Sequence, residues 1–140
     1  MSYSLNKTLN LSFDETLQKL TEELKKEGFG ILTQIDVKET LKKKINEDFR
    51  PYMILGACNP QLAFKVLCMD DKIGVFLPCN IVVQQHENGQ VEISIGDPEE
   101  MMKSASSIDA LQTFAQVVKN AMQRVLANIS SPTMSDSIQT

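Results

Sequence analysis

The apolar residues of the first third of the chain follow two different periods, which predict alternating strands and helices. Apolar positions alternate with polar ones in the strand segments and recur every three or four residues in the helical ones. Ser12 and Glu15 form an S-x-x-E capping box at a helix start, Gly28 suits the helix end, and Asp36 is placed to cap a short second helix. The predicted strand, helix, strand and short helix cover residues 3–9, 12–27, 29–35 and 36–45.

The middle of the chain predicts a strand, a helix and a long interrupted strand. Pro51 ends the preceding region, and a third strand is expected over residues 52–57. Asn59-Pro60 has the pattern of an N-cap followed by a proline in the first helical position, so a helix is predicted from there to about Met69. Residues 74–87 are predicted to form one long strand that Pro78 interrupts, and Pro78 is expected to mark a sheet edge or a bulge.

The last third predicts a hairpin and a long final helix. Asn88-Gly89 is a two-residue hairpin signal, and apolar residues alternate in the returning strand, over residues 91–95. Asp97-Pro98 begins a short turn or helix. The final helix is expected to start near Ser107, with a buried stripe formed by Ile108, Leu111, Ala115, Val118, Met122 and Val125.

These elements predict one α+β domain over residues 1–129 and a flexible tail over residues 130–140, because the tail is polar and lacks any periodicity. The 140-residue chain has a net charge of -4, which argues against a nucleic-acid binder. It has no apolar run near the roughly 20 residues that span a bilayer and no signal-peptide pattern, so a cytoplasmic protein is predicted.

The three cysteines and the single histidine limit the chemistry further. An odd number of cysteines does not make a disulfide framework, and neither a C-x-x-C nor an H-x-x-x-H spacing of a usual zinc site occurs. No Ser/His/Asp set, P-loop or dinucleotide fingerprint is present either. The sequence therefore leaves open whether the protein is an enzyme and which cofactor or metal, if any, it uses.

Several short segments occur in an order that resembles a known family. The chain contains, in order, Ile35-Asp36-Val37, Thr40-Leu41-Lys42, Phe49-Arg50-Pro51-Tyr52, Ile54-Leu55-Gly56-Ala57-Cys58-Asn59-Pro60 with Ala63, Gly74, Leu77-Pro78-Cys79-Asn80-Ile81-Val82-Val83 and Asp97-Pro98. This set resembles the family named domain of unknown function three hundred and two, over about residues 6–126. The resemblance implies a β-α-β(4)-α arrangement, a mostly antiparallel sheet packed by helices, and a homodimer. It implies no particular chemistry.

The two Cys-Asn dipeptides supply the first candidate site. Cys58 follows a predicted strand and precedes a helix start, where a helix dipole favours the thiolate and lowers the pKa of a thiol. The alternative is that Cys58 is a small buried apolar residue. Cys79 follows Pro78 and lies either at a site or in the core with Leu77 and Ile81. Cys68 lies in mid-helix, where burial is expected to raise the pKa of its thiol.

Four polar or aromatic residues complete the candidate set. Asn59 and Asn80 could orient a ligand through their side-chain amides, although Asn59 is better explained as a helix cap. Arg50 is one of only two arginines and could hold a carboxylate or phosphate, or instead pair with a nearby acidic residue. Tyr52 could supply a hydroxyl at the same place or pack in the core.

Two functional hypotheses follow from these residues. The first is a binding or carrier module that uses Cys58 and Cys79 in thiol, persulfide or metal chemistry. The second is a homodimeric protein that binds a small anionic molecule through Arg50, with cysteines that are only structural. Under the first hypothesis, Cys58 is expected to be the most acidic and most reactive of the three thiols.

Overall fold

The computed structural model describes residues 2–103 and 109–130, in which strands and helices follow the predicted order. The strands of this part of the chain are β1 (Ser4–Leu9), β2 (Gly30–Asp36), β3 (Tyr52–Cys58), β4 (Cys79–Gln85) and β5 (Val91–Gly96). The helices are α1 (Phe13–Lys26), α2 (Val37–Ile45), α3 (Pro60–Met69), α4 (Pro98–Met101) and α5 (Asp109–Ala127), with a 3-10 turn at Ile73–Phe76.

The five strands form a single antiparallel sheet in the order β1-β5-β4-β3-β2. The hairpin at Asn88-Gly89 joins β4 to β5, and Gly89 has the positive φ of 87° that such a tight turn requires. The expected α+β class with a mostly antiparallel sheet is confirmed. Strand β4 is central, and β1 and β2 form the two edges.

Helices α1 and α5 cover one face of the sheet, and the core lies between them and the strands. Side chains alternate between the two faces of a strand, so every second residue of β3, β4 and β5 enters this core. Its sheet members are almost completely inaccessible to solvent and include Leu55, Ile81, Val83, Ile93 and Ile95. The opposite face, here called the second face, carries Thr33, Ile54, Gly56, Asn80, Val82 and Gln84, of which only Gly56 is buried.

The helix starts use the predicted caps. The Ser12 hydroxyl accepts a hydrogen bond from the Glu15 amide, as in a capping box, and it also donates one to the Glu15 carboxylate. Asp36 accepts from an amide in the first turn of α2, and Asn59 accepts from two amides in the first turn of α3. Gly28 follows α1 with a φ of 84°. The local polar signals therefore set these boundaries.

The prediction of a long strand over residues 74–87 is wrong in its first part. Residues 73–76 form the 3-10 turn, and β4 begins only at Cys79, after a cis Leu77-Pro78 peptide bond. Pro78 does not mark a sheet edge, because the strand that follows it is central. Proline is tolerated there because it precedes the first paired residue and so removes no hydrogen bond from the ladder.

The final helix confirms its predicted stripe from Leu111 onward, since all five of those residues are buried. The predicted start near Ser107, the stripe position Ile108 and the tail after residue 130 lie outside the described residues. Within the described part of the chain, no helix is long and apolar enough to cross a membrane.

Candidate functional site

The pairing of β3 with β4 brings the two Cys-Asn segments together. Ala57 pairs with Cys79, and Gly56 pairs with Asn80, so the end of β3 lies beside the start of β4. Cys58 follows Ala57 and is therefore diagonally adjacent to Cys79 across the two strands. Nothing in the linear sequence specifies this register, and only the fold makes the two segments neighbours.

The two thiols point toward opposite faces, because Cys58 is one residue out of phase with the Ala57–Cys79 pair. Cys79 packs against the core and lines a small apolar cavity together with Phe76, Met102 and Phe114. Cys58 is partly buried at the end of β3, where it pairs with Gly30 of β2. The alternative that Cys79 packs inward is the one that the structure favours.

Burial raises the pKa of both thiols. The pKa of Cys79 rises to about 11, mainly because burial penalises the thiolate and also because Cys58 lies near enough to repel it. Burial also raises the pKa of Cys58, which is opposite to the expected effect of the helix dipole. Two first-turn amides of α3 donate to the Asn59 side chain, and burial is the effect that sets the direction of the Cys58 pKa.

Cys68 differs from the expectation as well, because it is exposed on α3 rather than buried. Asn59 is confirmed as a helix cap. The described residues contain no cluster of three or more His, Cys, Asp or Glu side chains that could hold a metal ion.

The pKa of Cys79 predicts a loss of stability at high pH. The unfolded thiol has a pKa near 9.0 and the folded one near 11, so the folded state binds more protons between these pH values. The contribution of Cys79 to the free energy of unfolding should therefore be constant below pH 9, fall by about 3 kcal/mol as the pH rises from 9 through 11, and level off above that. Urea unfolding of the wild type and of Cys79→Ala at each pH measures this. The two proteins share every other ionisable group, so the difference between their pH profiles isolates the Cys79 thiol. Parallel pH profiles would contradict it.

A row of three residues crosses the second face beside Cys58. Thr33 of β2, Gly56 of β3 and Asn80 of β4 are cross-strand partners. The Thr33 hydroxyl and the Pro78 ring occupy the space that a side chain at Gly56 would need, with the Pro78 Cγ atom 2.6 Å from the position of a Cβ atom there. Asn80 is exposed. Sequence reasoning missed Thr33, because only the register across a β-bulge in β2 brings it to this row.

Arg50 and Tyr52 lie at the other end of β3. Tyr52 and Cys58 are the first and last residues of this strand, and six steps of about 3.3 Å separate them by roughly 20 Å. The six candidate residues therefore form two groups. Cys58, Asn59, Cys79 and Asn80 form the first, and Arg50 and Tyr52 the second.

Two aromatic rings and an amide hold the Arg50 side chain in place. Its guanidinium carbon lies 4.4 Å from the ring centroid of Phe49 and 5.9 Å from that of Tyr52, within the range of cation–π contact. Its Nε atom donates a hydrogen bond of 2.9 Å to the Gln84 side-chain oxygen. Phe49 and Gln84 are thus parts of the site that sequence reasoning missed, since Gln84 is 34 residues away.

The charge of Arg50 is not neutralised by an acidic side chain in the residues that the structure describes. Arg124 is the opposite case, because both Nε and a terminal nitrogen bond the Glu27 carboxylate at 2.8–3.2 Å. The alternative in which Arg50 pairs with a nearby acidic residue is therefore not what the structure shows. The terminal amino groups of Arg50 are left as donors on an exposed side chain.

Comparisons with known proteins agree on one family. The sequence matches the domain of unknown function DUF302 over residues 5–129. The fold is similar to the crystal structure of the uncharacterized conserved protein DUF302 from Bacillus stearothermophilus, with a TM-score of 0.82 and 34% sequence identity over 91% of this chain and 98% of that chain. No curated protein matches the chain. The chain therefore belongs to the DUF302 family, as the order of its short motifs indicates.

Proposed function

We propose that this protein is a homodimeric binding protein for a small anionic ligand, which Arg50 holds while the cysteines serve packing. The observation that carries the proposal is a guanidinium fixed by Phe49, Tyr52 and Gln84 but without a carboxylate partner among the described residues. A fixed guanidinium loses little side-chain freedom when it binds, and its planar fork matches a carboxylate or a phosphate.

A groove next to Phe49 gives such a ligand room. It has a volume of about 430 Å³ and is lined by Lys38, Lys42, Glu47, Asp48 and Phe49. This volume lies within the range of small-molecule sites in proteins. Lys42 pairs with Asp48 at 3.1 Å, whereas Lys38 forms no ion pair within the described chain. Lys38 in this groove and Arg50, which follows Phe49 in the chain, thus each lack an acidic partner among the described residues and are available to an anion.

The anion proposal predicts a specific loss of affinity in Arg50→Gln. Charge-assisted hydrogen bonds contribute about 1.5–3 kcal/mol, so the variant should bind roughly tenfold to a hundredfold more weakly. NMR titrations with inorganic phosphate and with small mono- and dicarboxylates measure this. Arg124→Gln is the matched control, because it removes an equal charge but a guanidinium that Glu27 already neutralises. Equal affinities of the wild type and Arg50→Gln for every probe would refute the anion site.

Thiol, persulfide or metal chemistry at Cys58 and Cys79 is the second candidate function. One observation favours it, which is that the fold makes the two Cys-Asn segments neighbours. Cys58 is partly exposed there, and its partner Gly30 has no heavy atom within 4 Å of the position of a Cβ atom. The raised pKa of both thiols opposes it, because the thiolate is the reactive form. Site-resolved alkylation separates the two candidates.

A further inference from the structure

Helix α3 is apolar around most of its circumference, although only one of its residues is buried. Lys65 is its only charged residue, and Val66, at 1% exposure, is the one that enters the core. A helix on the surface of a globular protein normally has a polar outer face. The outer face of α3 instead carries Phe64, whose side chain is 70% exposed.

Three of the exposed apolar residues of α3 lie on one side of the helix, next to the 3-10 turn. Phe64, Leu67 and Cys68 are spaced three and four residues apart and so share one side of the helix. Val75, at 81% exposure, extends this surface, because the neighbouring Gly74 lies beside the Leu67 side chain. We call these four residues, Phe64, Leu67, Cys68 and Val75, the α3 patch. Large exposed apolar surfaces with a polar rim are typical of interaction sites.

We propose that a second copy of this chain covers the α3 patch, with the two α3 helices antiparallel about a twofold axis near Cys68. The inference rests on the homodimer of the proposed function and is independent of the anion site at Arg50. In a twofold interface the same patch serves both partners, so it must complement itself in polarity and in charge. The apolar centre of the patch meets the first condition.

The charges at the rim of the patch meet the second condition. Lys65 lies three residues before Cys68 and forms no ion pair within the described chain, while Asp70 and Asp71 follow at two and three residues after it. Antiparallel packing about Cys68 places Lys65 of each copy beside Asp70 and Asp71 of the other. Among the residues that the structure describes in one chain, the Asp71 carboxylate contacts only the exposed Lys72 amine, at 3.5 Å. The same two carboxylates oppose an anionic membrane surface as the occupant.

Charge introduced at the centre of the patch tests the interface. The mass from light scattering at micromolar concentration should be twice the 15.7 kDa of one chain for the wild type and that of a monomer for Phe64→Asp and Val75→Asp. Val117→Asp is the matched control, because Val117 is an exposed apolar residue on α5, outside the patch, and should leave the dimer intact. All three positions are exposed, so folding should survive, and circular dichroism verifies this.

Carbodiimide cross-linking of a mixture of ¹⁴N- and ¹⁵N-labelled protein tests the arrangement itself. An amide bond between Lys65 of one copy and Asp70 or Asp71 of the other is expected in mixed-isotope peptides. A wild-type monomer would overturn the proposal, and co-sedimentation of that monomer with phosphatidylcholine vesicles would assign the patch to a lipid surface. A dimer that survives Phe64→Asp and Val75→Asp without this cross-link would also overturn it. Phosphate titration of the monomeric variant shows separately whether the Arg50 site stands.

Discussion

Replacement of Gly56 by alanine is expected to lower the free energy of unfolding by roughly 1–3 kcal/mol, the range for inserting a methyl group into a closely packed site. Gly56 is buried in the second strand from the edge, between Thr33 and Asn80. The Thr33 hydroxyl and the Pro78 ring lie where the new methyl group would be placed. The Thr33 side chain can rotate away, but the Pro78 ring moves only with the backbone that leads into β4, so the site cannot relax without a shift there.

Gly30→Ala is the matched control for this prediction. Gly30 lies on the neighbouring strand, has no positive φ and has no heavy atom within 4 Å of the position that an alanine Cβ atom would take. Alanine there should be neutral or stabilise the protein by about 0.4–1 kcal/mol, because it restricts the unfolded chain. Urea unfolding of the two variants measures the difference. A Gly56→Ala protein as stable as Gly30→Ala would show that Thr33 and Pro78 do not pack closely on this glycine.

The local elements of the fold can be predicted because their signals are local. Ser12, Asp36 and Asn59 cap their helices through amides two or three residues away, and Gly89 occupies a turn that joins adjacent strands. Each of these interactions depends on residues that are close in the sequence. The prediction fails for the residues before β4 because their apolar run, which includes Val75 and Phe76, fits a strand and a short turn equally well.

The arrangement of the candidate site cannot be predicted, because it depends on strand order and register. Side chains alternate between the two faces along β3 and β4, and this alternation points Cys58 and Cys79 to opposite faces. A proline at position 78 does not indicate that the strand after it is the central one. The same limit applies to Arg50. Its role as a candidate anion ligand follows from its residue type, whereas its hydrogen bond with Gln84 joins two segments that are remote in sequence.

The three cysteines are expected to differ in alkylation rate by a large factor. Cys68 should react fastest and Cys79 slowest, with Cys58 between them. At pH 8, a thiol with a pKa of about 11 is roughly 0.1% thiolate, whereas one with a pKa of 9.0 is roughly 10% thiolate. This difference alone slows the reaction of Cys79 with iodoacetamide by about a hundredfold relative to an unperturbed thiol, and its position against the core slows it further. Cys58 should be intermediate, because it is partly exposed but burial raises its pKa.

Site-resolved mass spectrometry after timed labelling measures these rates. The Phe64→Asp variant is the suitable protein, since a dimer formed through the α3 patch would shield Cys68. Labelling in urea supplies the control, because all three thiols should react at similar rates once the chain is unfolded. If Cys58 in the folded protein reacts faster than it does in urea, the surroundings activate its thiolate rather than suppress it. The functional assignment would then move from the anion site at Arg50 to thiol chemistry at the end of β3.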